Sequence, residues 1–310
     1  MARTPSDQAG PADTTTDAAS VLRLTDIRVR LGSTVALDGL SLQVGPGQVV
    51  GVIGGAGAGK STVFNAVCGF VRPEAGAITW RGRPLRPRPY RLATLGLGRT
   101  LQGVGLYGGL TVLENVLVGS AGVPRVPAVP PGRPAGIAVA LLGTVRPARD
   151  GQANRLLAVD HLTRLGLAEY LDAELAAVPA SLQGRVVLAR ALLAEPELLL
   201  LDDPAVALDP IAGPPSGPGL EPALGLEPAL GLRSAAMAEL VALLRALPAR
   251  SAQAGRTCAV LLGTRVPELA LAASDQVVVL DRGVVAGAGT PAELRAGPTL
   301  PAGFRPSGES

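Results

Sequence analysis

The sequence predicts an α/β fold with an antiparallel β layer near its N-terminal end, and three stretches predict it. Residues Gln48 to Val67, QVVGVIGGAGAGKSTVFNAV, pass from an apolar run (Val49, Val50, Val52, Ile53) through a glycine turn into apolar residues at helical spacing (Val63, Phe64, Val67). Leu198 to Leu201 are four consecutive leucines ended by Asp202, the pattern of a strand buried on both faces. From Val21 to Leu31, Leu22, Leu24, Val29 and Leu31 repeat at strand period.

The glycine turn carries the chemistry. Gly54 to Ser61 fits the phosphate-loop pattern G-x-x-x-x-G-K-[ST], between a strand and a helix as that pattern requires. A triphosphate needs several N–H groups converging on its oxygens, and glycines let the backbone turn that tightly and approach that closely. Gly54, Gly57 and Gly59 supply the freedom. The free N–H groups at the start of the next helix add partial positive charge, Lys60 reaches the β and γ phosphates, and the Ser61 hydroxyl can ligate magnesium. The predicted cofactor-binding set is thus Gly54, Gly57, Ala58, Gly59, Lys60, Ser61 and Thr62. Lys60 is the only lysine in the chain, every other basic side chain of that kind being arginine, so a strong bias against lysine stops where this loop needs one. Asp202 emerges from its apolar strand beside the loop, where a carboxylate can hold magnesium directly or through its water.

Composition bounds the rest. A chain of 310 residues can bury a sizeable core as one large α/β domain. A formal net charge of +3 gives no global electrostatic case for nucleic acid. The densest basic segment, Arg81 to Arg91, is punctuated by proline and reads as a solvated loop, with lipid head groups as the minor alternative. Cys68 and Cys258 are isolated, without metal spacing, and fit two inert core residues in a reducing compartment. Residues 1–20 lack the apolar core of a signal peptide and are expected to form a disordered tail. Mean hydropathy is high at +0.35, yet runs such as Gly136 to Val145 fall far short of the roughly 20 residues that span a bilayer.

Taken in order, the turn at Gly32 leads to a second alternating segment, Leu40, Leu42 and Val44, and Gly45-Pro46-Gly47 turns the chain into the glycine-loop strand. Ala77 to Gly82 reads as a short strand, and Gly96 to Gly119 as a loop leading into a helix. Residues 121–149 are a proline-rich insertion. Helical spacing then returns with Leu156, Leu157, Val159, Leu162 and Leu165 on one side, and His161, the only histidine, is an ordinary residue of that helix. Ser181 is the expected N-cap of a helix running to about Ala194, ended by Pro196. Residues 211–232 contain GLEPAL twice, too few copies for a solenoid, and read as an insertion rather than a docking segment. A helix over Ala235 to Leu247, a strand over Cys258 to Leu262 and a closing pair of segments, QVVVLDRGVVAGAG, complete the chain.

Motifs outside the glycine loop carry a family resemblance. Arg99, Thr100 and Gln102 fall on R-T-x-Q, residues Thr111 to Asn115 on T-V-x-E-N, Ala207-Leu208-Asp209 on an aspartate loop, and Thr290 to Leu294 on G-T-P-x-E-hydrophobic. Over Leu22 to Pro298 the chain resembles ABC transporter ATP-binding subunits, most closely those of branched-chain amino-acid importers. The resemblance implies a P-loop nucleotide-binding domain over 21–310, with a mainly parallel core sheet and a helical subdomain at about 113–192. It implies ATP and Mg2+ as cofactors, Ser61, Gln102 and Asp202 at the metal, and Asp203, Gln102 and Arg265 in catalysis. Ser181 falls in the signature region that reaches a partner's nucleotide across a dimer. The implied partners are permease subunits in the membrane, a second ATP-binding subunit (the same or another) and, indirectly, a solute-binding protein. The implied location is the cytoplasmic face of the membrane.

The chain departs from the family pattern at four places. Leu31 stands where an adenine-stacking aromatic belongs, Asp203 replaces a catalytic glutamate, Arg265 replaces the switch histidine, and Val178 to Leu182 replace L-S-x-G-Q. A base one methylene shorter is misplaced, and about 1 Å of misplacement loses on the order of a hundredfold in rate. Arginine can donate to a phosphate but cannot accept a proton. One reading is an importer ATPase, and the alternative is a nucleotide-binding, poorly hydrolysing half of a heterodimer. A GTPase would need a second lysine for N-K-x-D, the motif spacing disfavours a small-molecule kinase, and a drifting paralogue with no maintained role is the remaining reading.

Overall fold

The computed structural model describes residues 20–100, 106–119, 151–204, 237–248 and 257–296. β1 (Leu22–Leu31) and β2 (Thr34–Val44) form an antiparallel hairpin, and β4 (Ala75–Trp80) and β5 (Arg83–Pro84) extend it to a four-stranded sheet of order β2-β1-β4-β5. Inward-facing residues change parity along β1, from Leu22 and Leu24 to Ile27 and Val29. The register with β2 slips between Leu24 and Ile27, and Asp26 takes a φ of 49°. A β-bulge therefore explains why the strand period breaks midway in the sequence. Leu31, expected to continue the inward row, ends the strand 48% exposed.

The second sheet is the frame of the site. β3 (Val49–Ile53) lies between β8 (Ala259–Thr264) and β9 (Gln276–Asp281), parallel to both. β7 (Leu198–Asp202) follows β8, β6 (Leu97–Thr100) closes one edge, and β10 (Val284–Gly289) closes the other, the one antiparallel strand of this sheet among the described residues. The strand before Asp202 and the strand before Gly54 thus belong to one mainly parallel sheet, one strand apart.

Both faces of that sheet are covered, as parallel strands require. Leu198 and Leu200 pack with β1, β2, β4 and helix α1 (Lys60–Cys68). Leu199 and Leu201 pack with α2 (Val112–Leu117), α3 (Gly151–Arg164), α4 (Ala180–Leu192) and α5 (237–248). Successive leucines point to opposite faces, so a run of four feeds two cores. α2 starts with a reciprocal capping box, in which Glu114 N donates to Thr111 Oγ1 and Thr111 N to Glu114 Oε2. α6 (Pro267–Ala273) and α7 (Pro291–Ala296) cover the β9 end.

Several expectations are corrected. Leu97 to Thr100 is an edge strand, not part of a loop, because β7 supplies the partner that a four-residue segment cannot advertise alone. On α3 the buried stripe is Ala158 and Leu162, followed by Leu165, whereas Leu156 is exposed. α4 begins two residues earlier than expected: Pro179, not Ser181, holds the N-cap position, and Ser181 lies within the first turn. The aspartate loop at 207–209, the insertions at 121–149 and 211–232, Gln102 and the tail, apart from Ser20, lie outside the described residues.

Leu199 and Leu200 are each fully buried against different layers. Leu199→Ala and Leu200→Ala should each lower the unfolding free energy by about 2–5 kcal/mol in urea denaturation. A cost confined to one of them would mean that one face of the sheet is open.

Candidate functional site

The carboxyl ends of the parallel strands gather the charged residues, and the sequence sets each in place. β3 ends at Ile53 and α1 starts at Lys60, leaving Gly54 to Gly59 as the connecting loop. Gly59 precedes the helix with a φ of 105°, where a Cβ would come within 2.7 Å of the Ala36 carbonyl oxygen. Only glycine fits there, on both counts. The loop is stitched from outside: Gly283 N donates to Ala58 O at 3.0 Å, and Asp38 N donates to Gly283 O at 2.9 Å.

Lys60 is 7% exposed, and its ammonium donates to Gly54 O at 2.6 Å and Gly55 O at 2.8 Å. Burial holds its pKa below the ordinary lysine value; Asp203 opposes that shift, Arg265 adds to it and Asp202 opposes it. Next in the helix, Ser61 Oγ donates to Asp202 Oδ1 at 3.4 Å. The other carboxylate oxygen, Oδ2, accepts from Arg99 Nη2 at 3.3 Å. Burial pushes the Asp202 carboxyl above its ordinary pKa, against the pull of Arg99 and Ser61.

Asp203 sits one residue on with a φ of 49°, a left-handed conformation that aspartate tolerates better than most side chains. Its N–H donates to Gly263 O at 2.7 Å, and its Oδ2 accepts from Arg265 Nε at 2.8 Å. The carboxylate is 6% exposed while the Arg265 side chain is 40% exposed, so the arginine forms the solvent side of the pair. Among the described residues, Lys60, Arg99 and Arg265 thus face Asp202 and Asp203, three cations to two carboxylates. The excess is positive, which suits a polyanion.

Ser61 and Asp202 offer oxygen donors, which suit a hard divalent cation. Among the described residues no group of three or more His, Cys, Asp or Glu could hold a metal ion. A cation between Ser61 and Asp202 would complete its shell from water and phosphate oxygens, the usual habit of magnesium.

The structure therefore brings together Lys60, Ser61, Asp202, Asp203 and Arg265, with Gly54, Gly57, Ala58, Gly59 and Thr62 in the loop and first turn. The helix whose first turn includes Ser181, α4, packs on the opposite face of the sheet from α1. Gln102 lies two residues past the end of β6, outside the described residues. The sequence reading missed the part played by Arg99 and Asn65. Arg99 Nη1 donates to Asn65 Oδ1 at 2.9 Å, joining β6 to α1 beneath Asp202. A charged residue in a short strand and an asparagine on a mostly buried helix were the available signals.

A model of the ABC transporter family matches residues 37–206. The chain is 31% identical over 283 residues to the high-affinity branched-chain amino acid transport ATP-binding protein LivG of Salmonella typhimurium, covering 90% of this chain and 95% of that one. It is 28% identical over 290 residues to the corresponding BraF protein of Pseudomonas aeruginosa, with the same coverage. Among solved structures, an ATP-binding cassette of an ABC transporter in its ADP conformation superposes with a TM-score of 0.62 at 23% identity, covering 87% of this chain and 91% of that one, which shows the fold.

Lys60 is the loop's one ammonium, and Lys60→Ala removes its charge-assisted hydrogen bonds. Affinity for a nucleoside triphosphate should fall by roughly tenfold to a hundredfold in titration calorimetry. Unchanged affinity would remove this loop from nucleotide binding.

Proposed function

The chain belongs to the ABC transporter family of ATP-binding proteins, and on that premise we propose that it is the ATP-binding subunit of an importer of branched-chain amino acids or related solutes. The observation that carries this reading is the chain's sole lysine, buried across a glycine loop beside Ser61 and Asp202. The solute class follows from likeness to LivG and BraF over nine-tenths of the chain. Residues 21–310 form one nucleotide-binding domain, with α2 to α4 the core of its helical subdomain at about 113–192.

In this reading the loop N–H groups and the start of α1 receive the ATP phosphates, and Lys60 exchanges its two carbonyl acceptors for phosphate oxygens. Ser61 and Asp202, with Gln102, would hold Mg2+, which would supply positive charge to the phosphates. Asp203 occupies the position of the base for the attacking water. Ser181 belongs to the region that meets the nucleotide of a second subunit. The partners are that subunit, permease subunits in the membrane and, through them, a solute-binding protein. Among the described residues no helix is long and apolar enough to cross a membrane, so membrane attachment in this reading comes through the permease.

The 2.8 Å bond from Arg265 to Asp203 favours the slowly hydrolysing form of this function. With Oδ2 held by the guanidinium, Asp203 keeps only Oδ1 to meet a water and loses basicity to the neighbouring positive charge, and arginine cannot relay the proton onward. We expect the isolated chain to bind Mg-ATP and turn it over slowly. Asp203→Glu together with Arg265→His should raise the steady-state rate on the order of tenfold or more, and the single changes less, because the two side chains touch. Brisk turnover by the wild-type chain alone would overturn the slow-subunit form.

A further inference from the structure

Arg99 is buried to 7% side-chain exposure without being a generously satisfied core residue. Its guanidinium lies 5.9 Å from the centroid of the Phe64 ring and 5.6 Å from that of Phe70. Nη1 is committed to Asn65 and Nη2 to Asp202, while Nε has no hydrogen-bond partner among the described residues. The Phe64 ring is fixed in turn, because it is fully buried and packs so closely on Gly263 that a Cβ there would meet it at 2.6 Å. The guanidinium therefore has little room to move, and it touches Asp202 at one oxygen only.

That contact divides the carboxylate. Oδ2 is held by Arg99 and Oδ1 is turned to Ser61, so a cation beside Ser61 meets a single oxygen. To chelate with both oxygens, Asp202 would have to abandon a buried guanidinium and leave Nη2 unpaired. Magnesium takes strict octahedral coordination and is content with one carboxylate oxygen, whereas calcium accepts six to eight ligands and favours bidentate carboxylates. We propose that Arg99 is a positioning residue that confines Asp202 to one metal-facing oxygen, and so makes the site prefer magnesium to calcium.

This inference rests on the nucleotide-binding reading above, and the test separates the two. Binding of a fluorescent ATP analogue to the full chain is titrated with MgCl2 and with CaCl2, giving a half-saturating concentration for each metal in wild type, Arg99→Gln and Arg99→Lys. Wild type should need clearly less magnesium than calcium. Arg99→Gln should narrow that ratio by roughly tenfold, the usual scale for losing a residue that orients a metal ligand. Arg99→Lys keeps a buried cation but loses the planar fork shared with Asn65, and should narrow the ratio in the same direction by less; if Arg99→Gln does not fold, this variant decides. Equal weakening with both metals, leaving the ratio unchanged, would show a purely structural Arg99 and overturn the proposal. Nucleotide binding by wild type without preference between the metals overturns it too, while the nucleotide-binding reading stands. No analogue bound with either metal overturns both.

Discussion

Two neighbouring carboxylates, Asp202 and Asp203, are carried into the interior at the end of a strand of leucines, and a buried negative charge has to be met by a positive one. The strand order answers that need. β7 lies between β6 and β8, all three parallel, so their carboxyl ends finish side by side. β6 contributes Arg99 to one carboxylate, and the turn after β8 contributes Arg265 to the other. α1, starting from the loop after β3, contributes Lys60 and Ser61 to the same space. The sheet topology and the charge arrangement are thus two descriptions of one constraint, and ligands of open α/β sheets gather at this end of the strands for the same reason of convergence.

Much of this was legible in the residues themselves. The glycine loop and the four leucines before Asp202 declare a strand and a turn with little help from distant contacts, and the alternation in the first hairpin declares its inward face. What escaped was set by partners distant in sequence. β6 is too short and too mixed to announce itself, and becomes a strand because β7 offers it a ladder. Leu156 has the same character as Leu162, and only the position of the neighbouring helices decides which of them is covered. The start of α4 shifted because a proline can stand at the boundary as well as a serine can. At the site, Lys60, Ser61 and Asp202 were legible from motif chemistry, whereas the pairing of Arg99 with Asp202 required knowing that β6 and β7 are neighbours.

The pair formed by Asp203 and Arg265 shows how stability and chemistry draw on the same atoms. In this arrangement the arginine neutralises a carboxylate that burial would otherwise penalise, and under the proposed function it does so on the side chain in the position of the base. The left-handed backbone at Asp203 adds a second reason for the shorter acid, because aspartate accepts that conformation more readily than glutamate. Local backbone, charge balance and side-chain length therefore agree with one another at this position, even where they depart from the pattern of an efficient hydrolase.

The stitches holding the glycine loop have a consequence for how the molecule is made. Ala58 is bonded to Gly283, and Gly283 to Asp38, so one short relay joins the first hairpin, the central loop and the turn between the last two strands. Contacts between such remote parts of a chain form late, since the entropy of closing the intervening segments must be overcome first. During synthesis the motif residues leave the ribosome well before the turn that fastens them. The loop therefore acquires its native constraint only once that turn exists, and a chain cut short before β9 would carry every residue of the motif without the contact that sets its shape.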